Sequence, residues 1–340
     1  MRSLLFFVHL VLVVIILAAC GGGDGDSGGD ADSNGSGGTS APKATINEDN
    51  AENIAALFFT ISSGLLNAGS SVTGMIPVQP TPSAASITGQ VARVQLDYLT
   101  ESAISPDLAR LTQTVACNGG GKTTVEMNDG FQLNAGDTMS VAYDNCITIF
   151  QDFRFTLNGR MDMTYISVPD GSSSLNFSVK IQYSNLTSIF EDTDAGTVYS
   201  TSMDGGWEMV FAQNGNVFES SISSDGITIV SNGITTTLVN LDQSFVFDLS
   251  TETYTAEYNF TVTSSAYPGT FSIQTPVPLQ GSIYGNPETG TLRISAPDGS
   301  SVELNADTGD TETVIITVNN GSSTTSREVT WAELYQGASF

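Results

Sequence analysis

From about residue 113 onward, apolar side chains fall on every second position. Phe153, Phe155, Leu157, Gly159, Met161, Met163 and Tyr165 alternate with Asp152, Arg154, Thr156, Asn158, Arg160, Asp162 and Thr164. Leu175, Phe177, Val179, Ile181 and Tyr183 repeat the pattern, as do Trp207, Met209 and Phe211, and then Tyr254, Ala256, Tyr258, Phe260 and Val262. Successive side chains of a strand point to opposite faces, so this alternation predicts strands with one dry and one wet face, the habit of antiparallel sheet. Pro169-Asp170-Gly171, Asp204-Gly205-Gly206, Asn214-Gly215, Asp225-Gly226, Asn232-Gly233, Asp298-Gly299 and Asn320-Gly321 read as the turns between runs. Their spacing predicts roughly 15 strands joined mainly as a meander. The expected fold class is all-β: a large antiparallel meander sheet, curved or barrel-like, with one N-terminal helix packed on it. Closure as a barrel, a half-barrel around the helix and a two-layer packing all remain open, because each buries one apolar face.

That helix is predicted over about 47–67. Ala51, Ile54, Leu57, Phe58, Ile61 and Leu65 recur at helical period, Thr45 and Glu48 have capping-box spacing, and Gly64 and Gly69 weaken and end the pattern. A membrane-surface helix would carry Lys or Arg on its polar face, and this one has none. Residues 70–88, with Pro77, Pro80 and Pro82, read as an irregular crossing. Residues 89–112 suit either a strand or a short helix.

The N-terminus has a different character. Arg2 precedes an apolar run from Leu4 to Leu17, broken by His9, and Leu17-Ala18-Ala19-Cys20 follows. This resembles the lipobox of bacterial lipoproteins. The resemblance implies a cleaved signal peptide (1–19), a diacylglycerol thioether on Cys20 and acylation of its new amino group. These covalent chains are the only expected cofactor. Gly21, rather than Asp, after the cysteine implies delivery to the outer membrane. Residues 20–43 hold the lipidated Cys20 and a flexible Gly/Ser/Asp linker, which would set the folded domain about 25–30 Å from the lipid. Residues 44–340 are expected to form a single β domain.

Composition removes several chemistries. The formal charge is −26, with 10 Lys+Arg against 36 Asp+Glu. Nucleic acid needs clustered cations, so it is excluded as a partner, as is direct docking on an anionic membrane face. The single histidine is His9, inside the signal, so the mature chain is left without Ser-His-Asp triads or histidine-ligated metals. Ala116, Gly121, Lys122 and Thr123 satisfy a relaxed phosphate-loop pattern, but Thr123 to Met127 continue as a strand where a helix is required, so no nucleotide is expected. Asp30, Asp32, Asn34 and Gly35 imitate an EF-hand opening, yet position twelve would be Ala41. Glu191, Asp192 and Asp194 form an acidic loop that could offer oxygens to calcium, and Asp307, Asp310 and Glu312 form another. Both also read as solvated turns. A glycosidase needs two paired carboxylates and a Ser-Lys hydrolase needs a Ser-x-x-Lys context. Neither pattern is present, so the chain is not expected to be an enzyme. Phe340 is similar to the aromatic end of outer-membrane barrels, but Ala338, Gln336 and Leu334 make a poor lipid-facing strand.

In an exported chain, Cys117 and Cys146 read as a disulfide, with two free buried thiols as the alternative. The segment around them, Cys117-Asn118-Gly119-Gly120-Gly121, Leu133-Asn134-Ala135-Gly136-Asp137 and Tyr143-Asp144-Asn145-Cys146, resembles a motif of uncharacterised Gram-negative lipoproteins. Gly290-Thr291-Leu292-Arg293-Ile294 and Trp331-Ala332-Glu333-Leu334 resemble its C-terminal portion more loosely. The resemblance carries no activity. The leading expectation for the chain is a non-catalytic cell-envelope lipoprotein tethered to the membrane by its lipid anchor, with a structural or partner-binding role toward an envelope protein. The alternative is a carrier for a lipid or other apolar ligand.

Overall fold

The computed structural model describes residues 44–72, 111–128, 134–150, 153–168, 176–193, 196–231, 233–283 and 285–337. The signal, Cys20, the linker, residues 73–88 of the proline-rich crossing, residues 89–110, Pro169-Asp170-Gly171, Asp194, Asn232 and Phe340 lie outside the described residues, while residues 70–72 of the expected crossing belong to the first helix.

The chain runs through helix α1 (Ala51–Val72), fourteen strands and a short helix α2 (Trp331–Gly337). The strands are β1 (Leu111–Ala116), β2 (Gly120–Met127), β3 (Thr138–Phe150), β4 (Phe153–Ser167), β5 (Phe177–Asp192), β6 (Thr197–Asn214), β7 (Val217–Ser231), β8 (Ile234–Asp248), β9 (Thr253–Ser264), β10 (Thr270–Ser282), β11 (Pro287–Ser295), β12 (Ser301–Asn305), β13 (Thr313–Asn319) and β14 (Thr324–Thr330). They form one antiparallel meander in strict chain order, with β1 and β14 as its two edges. The sheet is therefore open, and closure as a barrel is not adopted.

Period-2 burial runs through every long strand. In β9, for example, Tyr254, Ala256, Tyr258, Phe260 and Val262 are all buried while the positions between them face outward. The buried set forms one continuous apolar cluster. Two turn expectations are corrected here. Asp204-Gly205-Gly206 lies inside β6 and Asp225-Gly226 inside β7. These glycines mark β-bulges. The register slips at Tyr143/Cys146 in β3, at Tyr183/Leu186 in β5, at Gly206/Glu208 between β6 and β7, and at Val239/Asp242 in β8. Each slip inserts one residue and moves the buried side chains from one parity to the other, as from Tyr143 to Cys146. A bulge also bends its strand and increases its twist.

One local device recurs. Asn145, Asn185 and Asn240 take left-handed φ values of 47°, 48° and 52° at or beside the slips. On the facing regular strand stands a glycine: a Cβ on Gly159 (φ 103°) would strike the carbonyl oxygen of Asn185. Asn158, the residue before that glycine, caps the bulge on the other side, in β3, since the Asn145 N–H donates to Asn158 Oδ1 at 2.7 Å.

Helix α1 begins at residue 51, not 47, and runs on through Gly64 and Gly69 to Val72. Thr45 and Glu48 do not form the expected capping box. Asn47 Oδ1 accepts from the Asn50 N–H at 3.1 Å, and Asn50 Oδ1 accepts from the Asn47 N–H at 2.9 Å. The reciprocal pair thus starts two residues later, because asparagine oxygens reach the same orphan amides. A mid-helix glycine costs only about 1 kcal/mol, and no proline intervenes before Pro77, so the helix survives both glycines. Ala51, Ile54, Ala55, Phe58, Phe59 and Ile61 are buried members of the common apolar cluster. The Phe58 ring lies 5.2 Å from that of Phe271 in β10, and Phe59 lies 5.0 Å from Trp331.

Helix α2 had no counterpart among the expected elements. Its cap is a reciprocal box: the Glu333 N–H donates to Thr330 Oγ1 at 3.1 Å, and the Thr330 N–H donates to Glu333 Oε2 at 2.8 Å.

Candidate functional site

Cys117 and Cys146 form a disulfide, with Cα atoms 5.4 Å apart. Cys117 closes β1 and Cys146 follows the left-handed Asn145 of β3, so the bridge staples the β1–β2 edge hairpin to the body of the sheet. Thr123 Oγ1 donates to Cys146 Sγ at 3.2 Å. The glycine run beside it follows from close packing. The Gly119 N–H donates to the Ile147 carbonyl at 2.8 Å, and the Asn118 side chain bonds both the N–H and the carbonyl of Ile149. A Cβ on Gly121 would strike Asn145 O. Lys122 lies in strand β2 and reaches Asp144 on β3 at 3.5 Å, so its environment is an exposed cross-strand pair with no helix N-terminus. Gly136 and Asp137 lie in the turn before β3, where Asp137 Oδ2 accepts from the Asn134 N–H at 2.7 Å.

Among the described residues charge is kept to exposed positions, mostly on the outer face, while Arg327 of β14, in register with the buried Ile316, stands on the inner side at the sheet edge. Lys122, Arg154, Arg160, Lys180, Arg293 and Arg327 are all exposed, and no charged side chain is buried among the described residues. Most cations meet a carboxylate beside them: Arg154 with Glu191 at 3.9 Å, Arg293 with Glu303 at 2.7 Å, and Arg327 with Glu52 of α1. Such exposed pairs contribute about 0–1 kcal/mol each. Glu191 thus faces Arg154 across the strands, Asp192 ends β5, and Asp194 lies outside the described residues. In the second acidic loop, Asp310 Oδ1 accepts from the Glu312 N–H at 3.0 Å, which is turn chemistry. Among the described residues no three His, Cys, Asp or Glu side chains are grouped as a metal ion would need.

Away from Arg327 and Glu52 at the β14 edge, the inward positions of the described strands carry no charge, yet they are not wholly apolar. Trp207 donates its indole N–H to the Tyr183 hydroxyl at 3.0 Å. Burial raises Tyr143, Tyr183 and Tyr258 far above the ordinary tyrosine range and pushes Tyr165 up to about 12. Three buried side chains there lack a partner, the Tyr165 hydroxyl, the Ser220 hydroxyl and both amide atoms of Gln243, as does the Trp331 indole N–H in α2. Sequence reading passed over Gln243 and Ser220. The one available signal was a polar residue at an inward position, Gln243 between Leu241 and Phe245, and Ser220 two places before Ile222.

Compared with known protein families, curated proteins and solved structures, the chain matches none.

Proposed function

We propose that the chain is a non-catalytic lipoprotein of the Gram-negative cell envelope, of the lipoprotein family whose cysteine–glycine motif it resembles. In this reading it is held at the outer membrane by acyl chains on Cys20 and presents its sheet to an envelope partner. The row of bulges would curl the sheet about α1, with the Phe58–Phe271 contact seating the helix inside the curve. The observation that carries the partner-binding role is the open sheet: fourteen strands long enough to offer a broad outer face, with five of the six described cations on it and two edges unclosed. Binding, rather than chemistry, suits charges strung along strands in neighbouring pairs. Mass spectrometry of the membrane-extracted chain should find acyl mass at residue 20, and Cys20→Ala should release the chain from the membrane fraction. An intact leader with an unmodified Cys20 would overturn the reading.

A second reading is a carrier for an apolar ligand. It is favoured by the unpartnered polar atoms of Tyr165, Ser220 and Gln243 among the buried, mostly apolar side chains. Polar groups buried away from water are normally hydrogen-bonded, so such orphans point to an absent partner.

A further inference from the structure

In a strict meander, every turn after an odd-numbered strand lies at one end of the sheet and every turn after an even-numbered strand at the other. The chain enters the domain at the first of these ends. Ala44 packs so closely on the β9–β10 turn that a Cβ on Gly269 would strike it, and the Ile46 N–H donates to Ser300 Oγ of the β11–β12 turn at 2.7 Å. The tether of residues 21–43 therefore leads to this end, and its reach of about 25–30 Å keeps that end near the lipid that would hold Cys20.

The outer face carries an apolar corner at the same end. Ile149 of β3, Arg154 of β4, Glu191 of β5 and Val198 of β6 stand in one transverse row, and Ile147, Thr156, Ile189 and Ser200 form the next. Ile149, Ile189 and Val198 are 50%, 41% and 57% exposed. The rows cross three strand spacings, about 14 Å. Arg154 and Glu191 meet at 3.9 Å between the apolar side chains, so the pair adds no net charge there. On the inner side of this corner the half-buried rings of Phe153 and Phe190 stack at 5.3 Å. Ile166, Val210 and Leu249 are also exposed, toward the opposite end, so exposure alone does not choose between the ends. Charge does. Lys122, Arg154, Arg293 and Arg327 lie within four residues of the entry end of their strands, and among the described cations only Lys180 lies as near the other end. The turns of that other end hold Asp137, Asp248, Glu252, Asp307, Asp310 and Glu312, and no Lys or Arg. A membrane surface of negative potential repels such an end.

We propose that the corner of Ile149, Ile189 and Val198 docks the domain on a zwitterionic lipid surface, with the acidic end turned to water. The three side chains enter the interface as the apolar face of a surface-bound helix does. A formal charge of −26 excludes a strongly anionic face. Asp192, which closes β5 at the rim, falls in the hydrated headgroup layer in this placement. The proposal rests on the lipid-anchored reading, which supplies the membrane, and adds to it a contact made by the folded domain.

The test places the full chain, as Val198→Trp or as Leu249→Trp, in phosphatidylcholine vesicles with and without phosphatidylcholine brominated on its acyl chains. Trp207 and Trp331 are buried, and the parent chain gives their background. Val198→Trp should be quenched several times more strongly than Leu249→Trp, with its added emission shifted to the blue. Ile149→Trp takes its place if circular dichroism shows Val198→Trp unfolded. Equal quenching of the two variants, or stronger quenching of Leu249→Trp, overturns the docking. So does water-like emission from Val198→Trp on vesicles, which would leave the corner to a protein partner. Acyl mass at Cys20 without quenching of Val198→Trp keeps the anchor and removes the docked corner. Quenching of Val198→Trp with Cys20 unmodified keeps the corner and overturns the anchor.

Discussion

Gly159 and Asn185 show how much of this fold turns on single residues. Gly159 sits at φ 103°, and a Cβ there would collide with the backbone of Asn185 on the next strand. Gly215, at φ 61° in the β6–β7 turn, has open space around its Cβ position. Gly159→Ala should therefore destabilise by about 2–4 kcal/mol, combining strain with a forced backbone shift, while Gly215→Ala should cost only about 1 kcal/mol from its φ. Urea midpoints of the two variants check the difference, and equal losses would refute the close approach. Thr330 is a second case. Thr330→Ala should cost about 1 kcal/mol as a lost N-cap. Glu333→Ala should add little once Thr330 is gone, because the two side chains serve each other's backbone amides. The Thr330 N–H and hydroxyl hold the Glu333 carboxyl below its usual range, so the cap persists as the pH falls until that lowered value is crossed.

Among the elements, the edges are the weak ones. Strands β1 and β2 are short, and β1 has a neighbour on one side only. The Cys117–Cys146 bridge closes a sequence separation of 29 residues. In the chain-entropy account such a loop contributes about 3–4 kcal/mol. The double replacement Cys117→Ala with Cys146→Ala should lower stability by about that amount. Hydrogen exchange should locate the added opening in β1 and β2, with β8 and β9 unchanged at first. Uniform loss of protection would mean that the edge hairpin unfolds only with the whole sheet. At the other edge, β14 is exposed along most of its length and carries Arg327 and Glu328, charges that discourage pairing with another chain. Arg327 also meets Glu52, which ties the first turn of α1 to that edge.

For the molecule as a whole, the burial of its tyrosines sets the response to alkaline pH. Tyr143, Tyr165, Tyr183, Tyr254 and Tyr258 are buried, and all have raised pKa values because burial disfavours the phenolate. In the unfolded chain they ionise near pH 10. Above that pH the unfolded state holds fewer protons than the folded state, so stability falls as pH rises. Their stabilising contribution is intact below about pH 10 and is lost on the way to each raised value, about 12 for Tyr165. The expected outcome is cooperative alkaline unfolding, with tyrosinate absorbance growing together with the loss of β circular dichroism. Phenolate signal from these residues near pH 10 in a fully folded chain would show that they are reached by solvent.

The sequence by itself determined which residues face inward, because strand periodicity is local and is written in the order of apolar and polar side chains. It also determined the two cysteines that pair and the antiparallel meander. It misread Asp204-Gly205-Gly206 and Asp225-Gly226 as turns, since a glycine that permits a left-handed turn equally permits a bulge, and only a neighbouring strand decides which it becomes. The start of α1 moved to Asn47 and Asn50 for a similar reason: several side chains could reach the orphan amides, and the surrounding fold selected one pair. Tertiary structure alone decided that the sheet stays open, that α2 ends it, and that Gln243 and Ser220 meet on one face without partners. Each of these depends on contacts between residues far apart in the chain, and no local pattern encodes which strand lies beside which polar atom.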